Sequence, residues 1–117
     1  MNILLLYQEK FVSTKLNILG EEVNVILAPS DYLSELSDAF AMFDPDSNEI
    51  VFNEDEFESL SEKEYKRVYR HEIIHAFRIL AGGRDADCFP EGEEMIVEFF
   101  AQMSPKMFDI FDDLDIL

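Results

Sequence analysis

The chain has no tryptophan, one cysteine, two histidines, and only four glycines and four prolines in 117 residues. The single thiol, Cys88, excludes an internal disulfide and any disulfide-stapled scaffold. So few glycines and prolines exclude collagen-like and low-complexity architectures. Long apolar runs are missing too. Ile3–Leu6 is followed almost at once by Gln8, Glu9 and Lys10, too short a stretch for a signal peptide or a membrane span, so a cytoplasmic protein is expected. Basic side chains are scarce, 9 against 26 acidic ones, for a formal net charge of −17. That balance argues against nucleic acid and anionic membranes as partners. It leaves basic ligands, basic proteins or divalent cations.

Hydrophobic residues make up 48% of the chain and phenylalanine alone accounts for 11 positions, which excludes an acidic disordered polymer. The length predicts a single domain, 1–117, with one modest core. Residues 1–15 read equally as strand or helix. Leu16–Leu19, a turn at Gly20-Glu21, and Glu22–Ala28 read as a hairpin, with Val23, Val25 and Leu27 on one face. Residues 31–38 read as a loop or one helical turn. Ala39–Phe43 and Glu49–Asn53 flank the turn-forming run Asp44-Pro45-Asp46-Ser47-Asn48 and predict a second hairpin.

Helical signals then take over. Ser61, three residues before Glu64, makes a capping-box pattern. Tyr65, Tyr69, Ile73, Ala76, Phe77 and Leu80 share one helical face, and Gly82-Gly83 closes a helix over 59–81. A second helix is expected over 91–103. Ser104-Pro105 looks like an N-cap with proline at the first helical position of a short third helix. Together these elements predict an α+β fold: a small, mainly antiparallel sheet from residues 16–53, packed on helices 59–81 and 91–103.

Both histidines lie in one motif, His71-Glu72-Ile73-Ile74-His75, or HExxH. Positions i and i+4 of a helix face the same way, so both imidazoles can reach one cation. Glu72, next to the first histidine, can reach a water on that cation and act as general base. A catalytic zinc site needs a third protein ligand and one open position. With no third histidine and a lone thiol, that ligand falls to a carboxylate, and the second helix offers Glu93, Glu94 and Glu98.

HExxH, 18 intervening residues, then Glu94-x-x-x-Glu98 resembles the gluzincins, the thermolysin-like zinc metallopeptidases. The segments LNILGEEVNVIL, RHEIIHAF and EEMIVEFFA are similar in layout to the minimal, phage- and prophage-encoded members over about residues 16–103. The resemblance implies a zincin-like fold with zinc held by His71, His75 and Glu94. It also implies that Glu98 accepts a hydrogen bond from His71, and that Glu72 activates the attacking water. It further implies an edge strand at Ala39, Phe40, Ala41 and Met42 that pairs with an extended peptide substrate. Phe40 and Met42 would then line a hydrophobic side-chain pocket. Arg84 or Tyr69 are candidates to stabilise an oxyanion, Arg67, Arg70 and Arg78 read as surface ion pairs, and Cys88 as a partly buried thiol.

Two other classes fit the same sequence. One is a non-enzymatic regulatory or binding protein on a metallopeptidase fold, with the acidic-apolar tail 107–117 as a protein-partner segment. The other is an acidic mimic of nucleic acid. Glu72 separates the first from an enzyme, because a zinc scaffold has no use for it.

Overall fold

The computed structural model describes residues 14–81 and 93–117, and of residues 93–98 and 101 the backbone only. The ambiguous segment at the start of the chain falls outside it up to residue 13. Four strands form one sheet: β1 (Lys15–Ile18), β2 (Glu21–Ala28), β3 (Ala41–Asp44) and β4 (Glu49–Asn53). A 3-10 turn, Ser34–Leu36, lies between β2 and β3. Three helices follow: α1 (Glu54–Phe57), α2 (Glu62–Leu80) and α3 (Glu93–Asp113). The fold is α+β.

Both expected hairpins form. β1 and β2 pair antiparallel through Leu19 and Gly20, which have φ of 54° and 87°. Two successive positive φ values match the twist of adjacent strands, and glycine adopts the second without steric cost. β3 and β4 pair antiparallel from Ala41↔Phe52 to Asp44↔Glu49.

The sheet is less antiparallel than expected. Its order is β1-β2-β4-β3, and the central pair β2–β4 is parallel, in register from Asn24↔Glu49 to Ala28↔Asn53. β4 takes the centre because Ile50, Val51, Phe52 and Asn53 are all buried, so both faces of this strand need cover. That leaves β3 at the sheet edge among the described residues.

One sheet face meets α2. Phe52 is fully buried there, with ring centroids 5.7 Å from Phe57, 5.7 Å from Tyr65 and 5.2 Å from Tyr69. The edge-on contacts with Phe57 and Tyr69 and the tilted one with Tyr65 add to the area term and fix helix against strand. A smaller cluster on the opposite face, Ala28, Leu36 and Val51, is joined by Met42 and Leu33.

The two helices expected beyond residue 91 are one. α3 runs through Ser104 and Pro105 without a break. Proline 105 has no N–H to return to the preceding turn. However, Phe99, Met103, Met107, Ile110, Phe111 and Leu114 form a continuous stripe against the core, and that packing outweighs one missing bond. Met107, Phe111 and Ile116 are buried, so the apolar side of the tail serves the fold, while Asp109, Asp112, Asp113 and Asp115 face solvent. No described helix is long and apolar enough to cross a membrane.

Candidate metal centre

The site is built on α2, whose phase is set at its first residue. The Ser61 hydroxyl accepts from the Glu64 N–H at 3.1 Å, and the Glu64 carboxylate accepts from the Ser61 N–H at 3.3 Å. This reciprocal cap holds the Glu64 carboxyl below its usual range, with the Ser61 hydrogen bonds as the main cause. Tyr65, Tyr69, Ile73, Ala76 and Phe77 then turn into the core. At 100° per residue, His71 and His75 fall on the opposite face and Glu72 on the flank between them.

The two imidazoles meet, with Nε2 to Nε2 at 3.1 Å and ring planes inclined by 72°. Partial burial, then the neighbouring His71 and Arg78, lower the pKa of His75. The ring is therefore held in its neutral form, the form that ligates metals. A zinc–nitrogen bond is about 2.0–2.1 Å, so nitrogens 3.1 Å apart subtend about 100° at a shared ion, near the tetrahedral angle. Ligand atoms of His71, Glu72 and His75 all lie within 4.8 Å of one another. The group can hold a metal ion.

Among the described residues Glu72 is the one buried carboxyl group, with 6% of its surface exposed. Burial pushes its carboxyl up to about 7, opposed by a hydrogen bond from the Phe43 backbone. The β3–β4 ladder explains that partner. Asn53 N–H donates to the Phe40 carbonyl at 2.9 Å, so Phe40, Met42 and Asp44 direct their backbone groups at β4. Ala41 and Phe43 alternate with them and aim theirs away from β4, along the edge beside α2. Glu72 is thus anchored to the edge strand, a link between HExxH and sheet that sequence reasoning missed.

The expected peptide-binding segment is only partly available. The Ala39 N–H donates to Leu36 at 3.0 Å, and the Ala39 carbonyl accepts from the Asn53 side chain at 3.0 Å. Ala39 and Phe40 precede the strand, and Met42 packs in the cluster on the sheet face away from α2. Ala41 is the residue of the four whose backbone faces the edge that is left unpaired among the described residues.

Among the expected metal and second-sphere residues, Glu94 and Glu98 lie on the α3 backbone at i and i+4, but their side chains, like that of Glu93, are outside the described residues. Arg84 and Cys88 are outside them altogether. Tyr69 points into the core. It is buried on the core face of α2 and its phenol is pushed far above its usual range by burial. Arg70 donates to the carbonyl of Ile116 and so ties α2 to the end of the chain, where a surface ion pair was expected.

Comparison of the chain with family models, curated proteins and solved structures finds no match in any of the three.

Proposed function

We propose that this domain is a zinc metallopeptidase of the gluzincin type on a zincin-like fold, working in the cytoplasm on peptide or protein substrates. One observation carries the reading. A carboxylate buried to 6% exposure sits beside two imidazole nitrogens 3.1 Å apart and is steadied by an edge-strand N–H. Burying an acid without a cation partner is costly, and a pure metal scaffold gains nothing from it. The single cysteine in 117 residues fits a reducing compartment.

In this reading His71, His75 and Glu94 hold the ion, and Glu98 accepts from the His71 ring and fixes its tautomer. Zinc supplies Lewis acidity, polarising the scissile carbonyl and making water more acidic. Glu72 takes a proton from the attacking water as the C–O bond forms, and returns it to the amide nitrogen as the C–N bond breaks. The products are one carboxylate and one amine. Burial raises this carboxyl to about 7, and a bound cation would favour its charged form, the form that accepts a proton from water.

The test is metal analysis of the purified protein together with a peptide-library digest, each repeated on Glu72→Gln and Glu94→Ala. One zinc per chain, with cleavage lost in both variants and zinc lost only in the second, sustains the assignment. Cleavage that survives in Glu72→Gln defeats it.

A further inference from the structure

We propose that the polypeptide this site takes is a basic one, a lysine- or arginine-rich segment laid along the open edge of β3. The inference rests on the metallopeptidase reading of the site and specifies its substrate class.

What β3 offers outward is mainly backbone. The Ala41 and Phe43 side chains are buried toward α2 and their backbone groups face the edge, where the Phe43 N–H serves Glu72 and the groups of Ala41 remain for a substrate. Pairing with a backbone binds an extended chain with little regard to sequence. Selectivity must therefore come from what surrounds the strand, and carboxylates stand at both of its ends.

Asp38 is exposed in the turn before β3, beyond the 3-10 turn that carries the exposed Glu35. Asp44 closes the strand opposite Glu49, and Asp46 is exposed just after it. The Asp44 and Glu49 carboxylates are held in place. Asp44 accepts from the Asp46 N–H at 3.1 Å and Glu49 from the Tyr32 hydroxyl at 2.8 Å, and the single Ser47 hydroxyl proton is shared between Asp44 at 2.8 Å and Glu49 at 2.9 Å. Among the described residues Arg78 lies near His75, while three other cations gather elsewhere. Lys63, Lys66 and Arg70 line a groove of about 660 Å³ with Ser61, Glu62 and Leu117, to which no residue of β3 contributes. In a chain of net charge −17, exposed carboxylates thus flank β3, and a cationic chain entering the edge meets attraction from both ends.

The experiment uses two fluorogenic peptides with the same apolar centre, one flanked on each side by three lysines and the other by three glutamates. Zinc-loaded protein should cut the lysine peptide with kcat/KM at least about 30-fold above the glutamate peptide in 20 mM salt. In 0.5 M salt, where charges are screened within a few ångströms, the ratio should fall to about threefold or less. The double variant Asp38→Lys/Asp46→Lys should move the low-salt ratio toward one. Equal rates, or a ratio indifferent to salt, overturn the inference and leave the peptidase reading standing. If neither peptide is cut, the peptidase reading fails instead, and binding decides the substrate class. Fluorescence anisotropy of the same peptides in chelator should favour lysine, with the preference lost in Ala41→Pro. Lysine binding that ignores Ala41→Pro, or no preference at all, refutes the placement on β3.

Discussion

Replacing Glu72 by glutamine should stabilise the metal-free protein, and only above about pH 5. The carboxyl is 6% exposed and its pKa is pushed from 4.5 to about 7, chiefly by burial. In the unfolded chain it ionises near 4.5, so between these values the native state holds the extra proton. Stability therefore falls as pH rises through this window. Above pH 7 the full difference of about 2.5 pH units costs about 3 kcal/mol, at about 1.4 kcal/mol per unit. At pH 5 the cost is under about 1 kcal/mol. Glutamine fills the same space and carries none of this penalty. Urea denaturation in chelator should place the Glu72→Gln midpoint about 2 M above the parent at pH 8, taking a slope of about 1.5 kcal/mol/M, and within about 0.6 M at pH 5. Contributions from the other acids are common to both proteins and cancel. Zinc should narrow the gap at pH 8, because a cation beside the carboxylate favours its charged form. Equal midpoints at pH 8, or the same gap at both pH values, would refute the idea that α2 holds a strained acid for chemistry.

Four other outcomes are expected. His71→Ala, His75→Ala or Glu94→Ala should each abolish stoichiometric zinc in metal analysis after dialysis, since a three-ligand site loses most of its affinity with any one ligand. Glu72→Gln should keep its zinc and lose peptidase activity by about 10²-fold or more, read as kcat/KM on a cleaved peptide. Phe52→Ala should cost about 3–5 kcal/mol in denaturation, because the ring is fully buried among Phe57, Tyr65 and Tyr69. Ala41→Pro removes an N–H that faces away from β4, so KM should rise several-fold while melting temperature and zinc content hold nearly constant.

The hairpins and α2 were legible in sequence because local signals agree there. Alternation brackets the turns, and the Ser61–Glu64 capping box forms as expected, with the helix starting at Glu62 rather than at 59. The pairing of β2 with β4 was not legible, because 20 residues separate the strands and neighbours in sequence suggest neighbours in space. A hint was present: Glu49–Asn53 reads as a continuous run rather than an alternation, the mark of a strand covered on both faces. Ser104-Pro105 misled in the other direction, since a strong local start signal was overridden by the stripe from Phe99 to Leu114. In the site, spacing alone gave the His71–Glu72–His75 group. The anchoring of Glu72 by Phe43 is a tertiary contact across nearly 30 residues, and no local pattern encodes it.

Asn53 explains why the edge strand opens where it does. It is fully buried, yet each of its polar functions is used. Its side-chain amide donates to the Leu36 and Ala39 carbonyls at 3.0 Å each, its N–H donates to Phe40, and its side-chain oxygen caps α1 through the Asp55 N–H at 3.0 Å. These bonds consume carbonyls on the chain entering β3, so the first residue with backbone groups free to turn outward from β4 is Ala41. Two residues later Phe43 turns the same way, and its N–H meets Glu72. One buried asparagine therefore sets the register of the edge against the HExxH helix. Shifting that register by a single residue would turn the other set of backbone groups outward and deprive Glu72 of its partner. Asn53→Leu keeps a buried side chain of similar size but strands the Ala39 carbonyl, leaves the Leu36 carbonyl with the Ala39 N–H alone and removes the cap of α1, so it is damaging at the site as well as in the core.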